Sequence, residues 1–444
     1  MKTFNITTSN SALRTPHTKT IAFKTLGCRL NQYETDALVT EFDNAGYEVV
    51  DFKEKADVVV VNTCTVTNQS DQKSRNIISQ AARNNQGSVV VVTGCMVNNY
   101  KEKLESEDKI TYVVENNRKG SILNLVESHF SGEMTHPDKL NANVFQFNTV
   151  DKSLHTRSSI KIQDGCNNFC SYCIIPTVRG RATSRPLPNI IKNVENTLAN
   201  GFKELVITGV NIGRYDWEGK RVEDVILAIL EIEGDFRVRI SSLEPDGFTN
   251  DFVELFKHPK LTPHLHLCLQ SGSNEVLKRM RRMHSREDFN NTVAHFRSVI
   301  PNFNFTTDLI VGFPGETDSE FEESINAVKE LNFGHVHTFK YSVRRGTKAE
   351  RMENHINGTV KSERSEQLRT IAEEERTKYL KSFIGKTQTM LTEGFDSQKR
   401  AKGYGEHYLP LRIVGEGLQR NAFYQVRITG IEGYGEKAVL IATT

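Results

Sequence analysis

From residue 21 the chain alternates short aliphatic runs with segments of helical period. IAFKTLG, YEVV, ADVVVVNT, SVVVVTG and ITYVVEN read as strands, and NQYETDALVTEFDNAG, SDQKSRNIISQAARNN and KEKLESE read as the helices between them. β-branched runs bounded by Gly, Asn or Thr and separated by amphipathic stretches predict βα units on a mostly parallel sheet. An N-terminal α/β domain is therefore expected over residues 21–135. Residues 136–156 are polar, carry Pro137 and keep no period, which suits a linker. Residues 1–20 are expected to be a flexible tail.

A second alternating series follows. SSIKIQ, ELVITGV, RVRISSLE, HLHLCLQ, NFTTDLIVG and HVHTFKYSV read as strands, with DVILAILEI and FEESINAVKEL among the helices between them. These repeats are too many for a small doubly wound sheet and too few for a closed eight-stranded barrel, so an open, partial (β/α)6 barrel is expected over 157–375. A charged helix near 360–384 leads into glycine-rich short strands (KTQTMLTEG, YLPLRIV, FYQVRITGIEG, KAVLIATT) that predict a small all-β barrel over 376–444.

Composition adds limits to this picture. A chain of 444 residues with 37% hydrophobic and 25% charged positions suits about three globular domains. The longest aliphatic runs, at 58–61 and 89–92, fall far short of the roughly 20 residues that span a bilayer, and the N-terminus has no apolar signal core. A cytoplasmic protein that does not meet a membrane is expected. The net charge of +2 does not mark a nucleic-acid binder, yet residues 376–444 carry 11 Lys and Arg against 6 Asp and Glu. Any basic face is local to that barrel, with Lys399, Arg400, Lys402, Arg412 and Arg420 as candidate phosphate contacts and an ordinary solvated face as the alternative.

Seven cysteines suit metal or redox chemistry better than a disulfide framework. Cys166, Cys170 and Cys173 form a C-x3-C-x2-C triplet in GCNNFCSYC, directly after the first strand of the second series. Three thiolates with no fourth ligand nearby leave one metal position open, which fits an iron–sulfur cluster better than structural zinc. Cys28, Cys64 and Cys95 each follow a predicted parallel strand, where open α/β sheets bind ligands, so they can converge although far apart in sequence. Cys268, in HLHLCLQ beside His264 and His266, is expected to be a packed thiol. Tyr215 and Trp217 are candidates for base stacking, with coverage of a core edge as the alternative.

GCNNFCSYC resembles the cluster loop of the radical S-adenosylmethionine superfamily, with Tyr172 where that family places an adenine contact. The resemblance extends to TGVNIGRY (Gly209, Asn211), SSLEP (Ser242, Glu244), LQSGS (Gln270, Ser271) and DLIVGFPGET (Asp308, Gly312, Glu316), and it implies that these residues bind the cofactor. Across almost the whole chain the sequence resembles the methylthiotransferase family, with the C-terminal barrel similar to a TRAM RNA-binding module. GCRLNQYET and NTCTVTNQSDQKSR look most like the bacterial enzymes that act on threonylcarbamoyladenosine in tRNA. One departure is Arg345, where relatives often carry proline.

The resemblance implies two 4Fe-4S clusters, one on each triplet. It implies that S-adenosylmethionine is cleaved to methionine and a 5′-deoxyadenosyl radical, and that a methylthio group reaches carbon 2 of the adenine beside the anticodon (position 37). All six of these cysteines would be catalytic, with the strand ends of the two domains facing one cavity. A monomer with tRNA, an external electron donor and a sulfur donor as partners is expected. Isopentenyladenosine tRNA or a ribosomal protein remains open as substrate. A non-catalytic iron–sulfur RNA-binding sensor and a zinc-stapled RNA scaffold also stay open. Arg29, Asn31 and Gln32 are candidates for reading the threonylcarbamoyl group by proximity to Cys28 alone, with strand-end capping as the alternative.

Overall fold

A computed structural model describes residues 18–147 and 156–444. Most of the expected N-terminal tail and part of the expected linker lie outside the described residues. The described residues divide into two compact units: 18–147 together with 164–167 and 173–181, and the remainder.

The first unit holds β1 (Thr20–Thr25), α1 (Arg29–Asn44), β2 (Glu48–Val50), β3 (Val58–Thr63), α2 (Asn68–Asn84), β4 (Val89–Gly94), α3 (Cys95–Glu105), β5 (Tyr112–Val114) and α4 (Ile122–Ser131). The strands form a parallel sheet in the order β2-β1-β3-β4-β5. Both VVVV runs are buried along their whole length because helices cover both faces. Period two sorts them: Val58, Val60, Val89 and Val91 pack with Phe42, Leu125 and Val126, while Val59, Val61, Val90 and Val92 pack with Ile78, Ala81 and Met96. Strand order reverses at β1, so the crevice outside the carboxyl ends of β1 and β3 is the switch point where such sheets bind ligands.

The stretch read as a linker is packed as far as it is described. Phe147 is buried edge-on against Tyr33, and Lys101 pairs with Asp138 at 2.6 Å. A polar, aperiodic segment carries no sign in its sequence that single aromatic anchors will hold it.

The chain continues through β6 (Arg157–Lys161), β7 (Gln163–Asp164), α5 (Ile175–Val178), β8 (Thr183–Ser184), α6 (Leu187–Ala199), β9 (Glu204–Thr208), α7 (Val222–Leu230), β10 (Arg237–Ile240), β11 (Ser242–Leu243), α8 (Asn250–Glu254), β12 (His264–Leu267), α9 (Asn274–Arg279), α10 (Arg286–Val299), β13 (Asn304–Val311), α11 (Asp318–Leu331) and β14 (His335–Lys340). In the second unit two all-parallel sheets, β10-β9-β6 and β11-β12-β13-β14, give the expected open, partial barrel. Its helix-facing layer is apolar, including Leu205, Leu265, Leu267, Phe305 and Leu309. The opposite face is polar: Glu204 pairs with Arg237 and with Arg239, all three buried. Burial alone would raise the Glu204 carboxyl, but Arg237, Arg239 and Arg157 outweigh it and hold it well below the usual range.

Helix α12 (Gly358–Lys381) runs through the boundary expected at 375/376. It leads into a closed five-stranded barrel of β15 (Thr387–Phe395), β16 (Ala401–Tyr404), β17 (Pro410–Val414), β18 (Phe423–Glu432) and β19 (Val439–Thr443), ordered β15-β16-β17-β19-β18. This barrel abuts the partial barrel, since Arg237 donates to the carbonyls of Thr389 and Tyr404, each at 3.1 Å.

Candidate functional site

Cys28, Cys64 and Cys95 follow β1, β3 and β4, so two of the three flank the switch point. Cys28 is the N-cap residue of α1 and Cys95 opens α3, which places both thiols at the positive ends of helix dipoles, where thiolates are favoured. Cys28 is exposed, Cys64 and Cys95 buried. The Cys64 thiol is pushed up, first by burial and then by the neighbouring Cys95 and Cys28. Cys64 is thus within electrostatic reach of both Cys95 and Cys28.

Two glycines make the gathering possible. A Cβ on Gly27 (φ +100°) would stand 2.8 Å from the Cβ of Cys64, and one on Gly94 (φ +102°) only 2.3 Å from the carbonyl oxygen of Thr63. Asn31 then fastens the turn, donating to the carbonyls of Leu26 at 2.8 Å and Thr63 at 3.0 Å. Asn31 is 1% exposed and caps this turn, the alternative to reading the substrate. Gln32 donates to Asp36 at 2.7 Å, and Arg29 is exposed.

Beneath these thiols lies a buried charge network that sequence reasoning missed. Arg179 donates to Asn31 Oδ1 at 2.6 Å and meets Glu34 and Asp164, each at 3.0 Å. Lys119, fully buried, pairs with Glu34 and reaches Asn62 Oδ1 at 3.2 Å. Burial lowers the Lys119 ammonium and Arg179 adds to this, against the pull of Glu34. Arg179 ends far above its ordinary value because Asp164 and Glu34 overcome the effect of burial. A hint existed in sequence, since Asp164 lies two residues before Cys166 and Arg179 six after Cys173. Partners this far apart, however, are set by folding alone.

In the C-x3-C-x2-C loop, the Cys166 N–H donates to the Gly180 carbonyl at 3.1 Å. The Cys170 sulfur accepts from Arg282 at 3.4 Å, and Arg282 also pairs with Glu244 and donates to the Cys268 carbonyl at 3.2 Å. Tyr172 meets Phe313 edge-on at 6.3 Å, and Phe313 meets Tyr341 at 5.3 Å. Arg282 carried no signal in KRMRRMHS that set it apart from its neighbours.

The other expected cofactor residues divide by what they touch. Gly209 sits where a Cβ would be 2.7 Å from Ile212, and Gln163 Oε1 accepts from the Val210 and Asn211 N–H groups at 3.1 and 2.8 Å, which fixes that strand end. Ser242 begins β11 beside Glu244. Gln270 (φ +69°) exchanges backbone hydrogen bonds with Asp308 and Ile310, each at 2.9 Å. Ser271 is fully buried, with its hydroxyl 3.5 Å from that of Ser324 on α11, a packing contact. Glu316 accepts from the Gly312 N–H at 2.7 Å and pairs with Arg364 of α12, so it braces its own turn. The Asp308 carboxylate lies 3.3 Å from His266 Nε2.

Tyr215 is buried with its hydroxyl donated to the Arg185 carbonyl at 2.7 Å, which leaves it no part in stacking on a base. The Cys268 thiol is half-buried and pushed well up by its surroundings, then by Asp308 and Cys170. On the C-terminal barrel, Arg400 pairs with Asp396 and Glu432 at 3.0 and 2.7 Å, and Arg412 with the same two at 3.3 and 3.4 Å. Lys399, on a turn, and Lys402, on β16, are exposed, as is Arg420.

Residues 20–115 match the uncharacterized protein family UPF0004, and residues 160–328 match the Radical SAM superfamily. Over 417 residues the chain is 37% identical to the threonylcarbamoyladenosine tRNA methylthiotransferase MtaB of Bacillus subtilis, covering 90% of this chain and 91% of that one. The Thermotoga maritima enzyme of the same name is 34% identical, covering 94% and 96%. The tRNA-2-methylthio-N(6)-dimethylallyladenosine synthase of Fusobacterium nucleatum is 35% identical over 83% of this chain and 87% of its own. Among solved structures, the radical S-adenosylmethionine methyltransferase TsrM of Kitasatospora setae shares the fold, with a TM-score of 0.55 at 18% identity over 73% of this chain and 75% of that one. The three-thiol loop suits a 4Fe-4S cluster with an open iron for S-adenosylmethionine, and with these relatives it places the chain in the methylthiotransferase family of radical S-adenosylmethionine enzymes.

Proposed function

We propose that this enzyme converts N6-threonylcarbamoyladenosine at position 37 of tRNA, next to the anticodon, to its 2-methylthio derivative. The observation that carries this reading is the set of three thiols at the strand ends around the switch point, in a chain that also has the C-x3-C-x2-C loop. One loop serves cofactor cleavage, and the second set gives the reaction a place for sulfur.

Cys166, Cys170 and Cys173 would hold one 4Fe-4S cluster, and Cys28, Cys64 and Cys95 a second. The clusters supply electron transfer for reductive cleavage of S-adenosylmethionine and a site for the sulfur to be inserted, chemistry that no acid–base side chain offers at an aromatic C–H bond. The chain's own residues supply placement. The N-termini of α1 and α3 lower the cost of gathering negative sulfur. The Arg179 network holds the turn carrying Cys28 against the segment leading to Cys166. Arg282 fixes Glu244 beside Cys170 and so holds both at the strand end where the cofactor's polar end would lie. Tyr172, half-buried and backed edge-on by buried Phe313, offers an apolar face for its adenine. Lys399, Lys402 and Arg420, exposed on the barrel, would meet tRNA phosphates. An external electron donor and a sulfur donor complete the reaction, which we place in the cytoplasm with the enzyme a monomer.

The test is anaerobic reconstitution with iron and sulfide, then reductant, S-adenosylmethionine and tRNA bearing N6-threonylcarbamoyladenosine, with nucleosides analysed by mass spectrometry. The 2-methylthio nucleoside is expected. Formation of 5′-deoxyadenosine without that product, together with activity on isopentenyladenosine tRNA, would overturn the substrate.

A further inference from the structure

The polar face of the partial barrel carries a constellation that neither cysteine triplet uses. Strands β12, β13 and β14 are parallel neighbours, with His266 opposite Thr306 and Asp308 opposite His337. Alternation sends Leu265, Leu267, Phe305, Leu309 and Val336 to the apolar core. It leaves His266, Asp308 and His337 together on the other side, where one ligand atom from each lies within 4.8 Å of the other two.

We infer that His266, Asp308 and His337 form a binding site for a first-row divalent cation. Two imidazole nitrogens and one carboxylate oxygen are a mixed donor set that first-row divalent cations from Mn2+ onward accept, and three protein ligands leave positions for oxygen ligands such as water or a carboxylate. Neighbouring groups hold the rings in the way metal-binding histidines require. The Thr306 hydroxyl lies 3.0 Å from His266 Nδ1, so a proton on Nδ1 leaves the Nε2 lone pair facing Asp308, 3.3 Å away. His335 Nε2 contacts His337 Nδ1 at 3.1 Å and steadies that ring.

A purely structural hydrogen-bond network accounts for His266 with Asp308. His337 is exposed on β14, a strand at the end of its sheet, which places its ring at the solvent side of the cluster. The His266 side chain is 15% exposed and that of Asp308 28%, so an ion can enter from solvent.

The test uses the anaerobic, cluster-loaded full chain titrated with Mn2+, a hard cation that thiolates do not favour, following loss of the free-ion electron paramagnetic resonance signal. About one Mn2+ per chain is expected. Binding should weaken tenfold or more in Asp308→Asn and in His337→Gln, and stay unchanged in His136→Gln, a histidine of the first unit. The His337 side is exposed, so that variant keeps the fold even if Asp308→Asn does not. Stoichiometry well below one, or His337→Gln binding as the parent does, would overturn the site.

Discussion

Arg179 and Glu34 lie 145 residues apart and meet at 3.0 Å with both side chains 1% exposed. Arg179→Met leaves buried Glu34 with Lys119 and takes the 3.0 Å guanidinium partner from buried Asp164. Removing one partner of a buried ion pair costs about 3–5 kcal/mol, whereas an exposed pair would cost under ~1. Chemical denaturation should show a loss of that size, and Arg179→Lys should recover only part of it, because one ammonium cannot satisfy Asn31, Glu34 and Asp164 together. A change below 1 kcal/mol would remove the network from any account of this unit.

Gly94→Ala tests the geometry around Cys95. The strained φ alone costs on the order of 1–3 kcal/mol, and the contact with the Thr63 carbonyl forces β3 and β4 apart where Cys64 and Cys95 stand. Bound iron per chain after reconstitution should fall by roughly half if three of the six ligands are displaced. Iron content equal to that of the parent would show that the second triplet holds none.

Separating the two triplets should separate the two chemistries. Cys28→Ala, Cys64→Ala and Cys95→Ala combined should abolish methylthiolation while 5′-deoxyadenosine still forms. Cys170→Ala should stop both. Full methylthiolation in the triple variant would refute the sulfur-transfer role.

Two histidines of the second unit make it sensitive to acid. Burial, with Arg282 beside it, holds His284 down to about 4 against opposing effects of the Leu269 carbonyl, Asp246 and Asp288. Burial, Arg239 and Lys386 hold His407 down to about 4. The unfolded chain takes these protons near pH 6.5 and the folded one does not, so their stabilisation is present above pH 6.5 and is lost progressively as pH falls towards 4. The loss is about 1.4 kcal/mol per pH unit for each group. Melting temperature between pH 7 and 4.5 should drop less in His284→Gln than in the parent.

On the C-terminal barrel, Lys399→Glu with Lys402→Glu should weaken tRNA binding and flatten its dependence on salt by roughly 0.7–0.9 in log–log slope per lost phosphate contact. Arg400→Ala should act differently, disturbing the Asp396 and Glu432 pairs with a smaller effect on that slope. Equal slopes in all three proteins would place the RNA elsewhere.

The sequence carried the strands well because β-branched runs such as VVVV leave few alternatives, and because cysteine spacing within one loop needs no tertiary knowledge. It also carried the placement of Cys28, Cys64 and Cys95 at strand ends, since strand boundaries alone decide that. It could not carry Arg179, Lys119 or Arg282: a charged residue in sequence reads as surface, and only the fold brings Glu34 to Lys119 across 85 positions. Phe147 and Tyr215 failed in the same way, one reading as linker and the other as an open loop aromatic although both are buried. The histidines of β12 read as barrel interior, and their companion on β14 came into view only with the parallel register.

The contacts of Arg237 and Arg239 with the last barrel bear on how this protein can be dissected and how it can change. Arg237 reaches the carbonyls of Thr389 and Tyr404, and the Arg239 guanidinium lies 4.5 Å from the Tyr408 ring centroid. The C-terminal module therefore serves as a stopper for the charged floor of its neighbour. Truncating it would uncover two arginines, so a shortened chain that fails to bind tRNA would report a damaged scaffold as readily as a lost RNA grip. The same contacts mean that the module cannot be exchanged for an unrelated one unless the newcomer brings backbone acceptors to Arg237 and an aromatic face to Arg239.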